Sequence, residues 1–78
     1  MLETMVCEEK RDIVAVLEGQ FEDAFVLMMN EPSEDNRIGY QNCYDQLAKA
    51  LVDGGLTHSQ SVSLVDALAV VSQVGLWL

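Results

Sequence analysis

The sequence predicts an all-α fold, a small three-helix bundle in which a long first helix packs with a C-terminal αα-hairpin. Three observations predict it. Apolar residues recur at three- and four-residue spacing along three segments. Residues that start or stop helices bound each segment. Period-two alternation, the mark of a half-buried strand, is absent over any useful length. A chain of 78 residues holds one domain, residues 1–78. A chain this short buries only about 60–65 % of its unfolded surface, so the core is thin.

The first helix is expected over about residues 4–30. Thr4 is placed to cap it, with Glu8 and Glu9 near its positive end. Val14, Leu17, Phe21, Ala24 and Met28 form its apolar stripe, which Ile13, Val16, Phe25 and Leu27 widen. Glu8, Asp12, Glu18, Glu22 and Asp23 lie opposite. Gly19 is a weak point inside the pattern, roughly 1 kcal/mol worse than Ala in a helix interior. Pro32 ends the segment, because the residue before a proline is pushed out of the α region.

The second helix is expected over about residues 37–53, capped by Ser33 or Asn36. Its stripe is Tyr40, Cys43, Tyr44, Leu47, Ala48 and Leu51. Gly54-Gly55 ends it, because a positive φ after the last turn suits glycine. The third helix is expected over about residues 58–74. Thr57 and Gln60 form a capping box, Leu56 is a candidate staple, and Gly75 is the expected stop.

The third helix is unusual. Ser59, Ser63, Asp66, Val70, Gln73 and Trp77 fall within about 80° on a helical wheel. They form its one polar stripe, and two of these six are themselves apolar. Most of the rest of the circumference is Val, Leu and Ala, and two neighbouring helices cannot cover all of it. Val70, Trp77 and Leu78 are therefore the expected surface for self-association, as a homodimer, or for an apolar partner. The stretch Val62–Leu78 is shorter than the roughly 20 residues a membrane span requires and contains Asp66, so no membrane anchor is expected.

The chemistry of sites is sparse. Two cysteines and one histidine do not make a closed zinc site. Cys7 and Cys43 are expected as small buried thiols, in a reducing, cytoplasmic setting, since no basic n-region of a secretory signal precedes an apolar run. Glu8 and Asp12, like Glu18 and Glu22, are one helical turn apart, but no ExxH motif accompanies them. His58 sits at a helix start, where the dipole disfavours its cation. No phosphate-binding loop and no nucleophile elbow occurs. No enzyme activity, cofactor or metal is expected.

Charge is the feature that points outward. Lys and Arg number 4 against 13 acids, for a net charge of −9. Direct nucleic-acid contact is not expected, because phosphates need cations. Residues 1–35 carry ten acids and two bases, net −8, whereas residues 36–78 carry three acids and two bases, net −1. Glu8, Asp12, Glu18, Glu22, Asp23, Glu34 and Asp35 are the expected contacts for a basic partner. The expected function is a small acidic inhibitor or regulator of a larger, basic, nucleic-acid-binding protein, of phage or mobile-element type. The competing expectation is a small dimeric chaperone, adaptor or structural module that binds through its apolar third helix.

Overall fold

A computed structural model describes the backbone of residues 2–77 and the side chains of residues 2–74. Among the described residues there are three α-helices of 20 residues each: α1 (Arg11–Asn30), α2 (Glu34–Asp53) and α3 (His58–Trp77). No strand occurs among them. Connections of only three and four residues join successive helices, and the described residues measure 35 × 26 × 22 Å.

The first helix starts seven residues later than the periodicity suggests, at Arg11 rather than near Thr4. Thr4 does not cap it; Thr4 lies inside a 3-10 turn, Leu2–Met5. Cys7 then breaks the helix with an extended backbone, φ −62° and ψ 155°. A second 3-10 turn, Glu8–Lys10, leads into α1. The physical reason is burial. Leu2 and Val6 are 2 % and 5 % exposed, and they reach the core only if the chain folds back as a strap. The Leu2 N–H donates to Glu18 Oε1 at 2.8 Å, and the Cys7 N–H donates to the Gly54 carbonyl at 3.1 Å. These two bonds tie the strap to α1 and to the end of α2. Cys7 is consequently exposed rather than buried, while Cys43 is half-buried.

Helix α1 buries Val14, Phe21 and Phe25. Ile13, Val16 and Leu27 do not widen the core stripe as expected; they are exposed. Phe21 and Phe25 pack on the α2 tyrosines, and on the wheel Ile13, Val16 and Leu27 point roughly 100–160° away from the Val14–Phe21–Phe25 direction. Gly19 does not interrupt α1, which runs unbroken from Arg11 to Asn30.

Helix α2 starts at Glu34, three residues before the expected boundary. Ser33 is the cap, its Oγ accepting from the Asn36 N–H at 3.1 Å. The Asn36 side chain instead donates to the Glu31 carbonyl at 2.6 Å and closes the turn. Leu47, Ala48, Ala50 and Leu51 are buried. The helix ends as a Schellman motif: Leu56 N–H donates to Leu51 O and Gly55 N–H to Val52 O. Gly55 carries the positive φ, 111°. Gly54 serves a different purpose, because a Cβ there would lie 2.6 Å from the Cβ of Val6.

The capping box at α3 is present in full. Thr57 Oγ1 accepts from the Gln60 N–H at 3.1 Å, and Gln60 Oε1 accepts from the Thr57 N–H at 3.0 Å. Val65 and Leu68 enter the core. Ser61 is also fully buried, and its hydroxyl donates to the Thr57 carbonyl at 2.8 Å. Gly75 does not end the helix, which continues to Trp77. An interior glycine lowers helix stability by about 1 kcal/mol relative to Ala, too little by itself to stop a helix.

Candidate functional site

Three surfaces are candidates: the acids of the N-terminal half, the outer face of α3, and the groove between α2 and α3. The acids do not gather on one face. Asp12 and Asp23 are exposed and point away from the core, about 20° apart on the wheel and roughly 16 Å apart along α1. Between and beside them on the same outward strip lie Val16 and Leu27, 58 % and 47 % exposed. Glu18 and Glu22 sit on the flank of the core stripe and are half-buried. Glu18 is the residue that receives the Leu2 N–H, so it helps to hold the strap. Glu8 is exposed on the second 3-10 turn, at one end of α1. Glu34 and Asp35 are exposed at the other end, in the first turn of α2, where the helix dipole favours acids. The outward side of α1 is thus mixed acidic and apolar, with further acid at both ends.

The outer face of α3 is apolar toward its C-terminal end. Val70, Val71 and Val74 are 60 %, 58 % and 50 % exposed. Ser59, Ser63 and Asp66 are exposed, as the polar stripe requires, while Gln73 is half-buried. Of the expected apolar contacts, Val70 is on this face. Leu78 and the side chain of Trp77 lie outside the described residues.

The groove was not legible from the sequence. Tyr40 and Tyr44 come from α2 and Asp66 from α3. Phe21 holds both tyrosine rings from below, with ring centroids 5.2 and 6.3 Å away, and Phe25 lies 5.8 Å from Tyr40. The Tyr44 hydroxyl donates to Asp66 Oδ1 at 2.8 Å across the helix pair. Burial pushes the Tyr44 phenol up to about 12, helped by its bond to Asp66 and by the Asp66 charge. The Tyr40 phenol is raised by burial first and by Asp66 second. Gln41 and Asp45 complete an open cleft of about 440 Å³ with these three residues. A second cleft, shared at Tyr44 and Asp45, extends it past Ala48, Val52 and Val62 to Lys49 and His58. The one signal available in advance was Asp66 itself, the single charged residue after Asp53.

Among the described residues no three metal-ligating side chains come together, and no helix is long and apolar enough to cross a membrane. His58 is exposed at the start of α3 and Ser59 beside it is exposed too. No family model, curated protein or solved structure matches the chain.

Proposed function

We propose that the chain is a non-enzymatic interaction protein, a small acidic inhibitor or regulator that docks on the basic surface of a larger protein. The observation that carries the reading is the uneven charge. Residues 1–35 hold ten of the 13 acids against Lys10 and Arg11. Their exposed carboxylates border α1 along its outward side and at both ends. Such a surface steers a cationic partner and competes with nucleic acid for it. The exposed Val16 and Leu27 between the acids favour a protein partner over simple counter-ion attraction, because docking needs desolvated apolar contact as well as charge.

The test is affinity capture of the partner at low and at high salt with the parent chain and a variant carrying Asp12→Lys, Glu22→Lys and Asp23→Lys. These positions leave the Glu18 bond to the strap intact. Capture falls with salt and is lost in the variant. Capture that the reversals leave intact overturns the reading.

A second reading rests on Val70, Val71 and Val74. Their exposure supports a homodimer or an adaptor module closed through α3. Here association is insensitive to salt, and Val70→Lys weakens it. Sedimentation at low micromolar concentration decides: a single 8.6 kDa species refutes the dimer.

A further inference from the structure

We infer that the α2–α3 groove seats one arginine side chain of a basic partner segment, between the Tyr40 and Tyr44 rings and the carboxylates of Asp66 and Asp45. The inference rests on the acidic-regulator reading and names the contact that gives it specificity. Four features select this occupant. First, the cleft is of ligand size, about 440 Å³, and open along one side, so a side chain enters it without any helix moving. Second, its aromatic walls are pre-set. Phe21 packs on both tyrosine rings and Phe25 on Tyr40, so little rotamer freedom remains to be lost on binding.

Third, the acceptors are available. Asp66 lines the cleft and uses Oδ1 for the Tyr44 hydroxyl, and a carboxylate has acceptor capacity beyond one such bond. Asp45 lines the same cleft. Lys49 lies one turn along α2 from Asp45 and lines the adjoining cleft with His58, and Arg37 lies one turn before Gln41; neither lines the cleft itself. Asp66 has no such neighbour on α3, whose described residues carry no Lys or Arg. Fourth, the local field has the right sign. Burial is the larger cause of the raised phenols, but the Asp66 charge adds to it in both, and that carboxylate, with Asp45 beside it, attracts a cation into the cleft.

Arginine fits better than lysine. Its planar guanidinium stacks on an aromatic ring while its fork of donors meets a carboxylate. The adjoining cleft, walled by Ala48, Val52 and Val62, takes an apolar side chain about one turn further along the same segment.

The experiment is an amide NMR titration with an alanine-rich helical peptide carrying one central arginine. Matched peptides carry citrulline, the neutral isostere, or lysine in its place. The arginine peptide is expected to shift the amides of residues 40–45 and of the α3 turn around Asp66. Citrulline weakens binding by about ten-fold, the loss expected when one charge-assisted contact goes, and lysine falls between. Asp66→Asn gives a similar loss with the arginine peptide, and its amide oxygen still accepts from Tyr44, so the fold is kept; far-UV circular dichroism checks this. No shift at millimolar peptide, equal binding of the citrulline peptide, or undiminished binding to Asp66→Asn overturns the inference. The two proposals fail separately. Partner capture lost in the α1 reversals but untouched by Asp66→Asn removes the groove and leaves the regulator reading. Arginine binding in the groove with capture indifferent to the α1 reversals does the opposite.

Discussion

Gly54→Ala is expected to destabilise the protein by about 2 kcal/mol, through steric conflict alone. The backbone at Gly54 has φ −82° and ψ 1°, which any L residue adopts, so no conformational penalty arises. The added Cβ would meet Val6 Cβ and Cγ1 at 2.6 Å each, and the Ala50 carbonyl oxygen at 3.3 Å. A Cβ next to the backbone cannot rotate aside, so the strap itself must move. Moving it stretches the bond from Cys7 N–H to the Gly54 carbonyl and exposes Val6, now 5 % exposed. The upper bound is the burial of one valine, about 1.5–3 kcal/mol. For a domain of this size about 1 kcal/mol corresponds to roughly 6 °C in Tm, so the expected drop is near 12 °C. Urea denaturation followed by far-UV circular dichroism measures it, read as a lower midpoint at unchanged slope. Val6→Gly removes both clashing atoms. The double variant Val6→Gly/Gly54→Ala is therefore no less stable than Val6→Gly alone, and the cycle shows strong coupling. A Gly54→Ala protein within about 0.5 kcal/mol of the parent, or strict additivity with Val6→Gly, refutes the close-approach argument.

Other glycines carry opposite signs. Gly19→Ala, where an added Cβ meets nothing within 4 Å, stabilises by up to about 1 kcal/mol, whereas Gly55→Ala, at φ 111°, destabilises by about 1–2 kcal/mol; the same urea curves check both. Thr57→Ala removes the acceptor of the Gln60 N–H and lowers stability by about 1 kcal/mol, measured as a shift in Tm. The Tyr44 phenol is held near 12 in the fold against 10.0 when unfolded. Its contribution to stability is therefore present below pH 10 and lost between pH 10 and 12, which thermal melts across that range detect. Asp66→Asn lowers the Tyr44 midpoint in a near-ultraviolet absorbance titration only part of the way, because burial is the larger cause.

Local signals held at the start of α3 and the end of α2, though not at Gly75, which α3 runs through. Thr57 and Gln60 cap each other across three residues, and the αL position at Gly55 needs no distant partner. The stripe Val14–Phe21 and the stripe Leu47–Leu51 became core for the same reason: helix period fixes which residues share a face. The candidate contacts fared unevenly. Asp12 and Asp23 are outward on α1, but Glu18 was claimed by the strap and Glu22 stayed on the flank of the core. Val16 and Leu27 went to the surface, because on the wheel they lie roughly 140–160° from the direction of Val14, Phe21 and Phe25.

By itself the sequence determined three helices, the start and end of the second, the capping box of the third, the excess of apolar surface on the third, and the crowding of acid into the first 35 residues. Those properties depend on neighbours within a turn or two, or on composition alone. Tertiary structure decided where Leu2 and Val6 go, why Gly54 must lack a side chain, and that Tyr44 meets Asp66 across 22 residues of chain. Each depends on how one element is rotated and set against another, and many weak contacts summed over the whole core fix that setting. The net charge of −9 could be read from the sequence; the aromatic groove that gives part of it a shape could not.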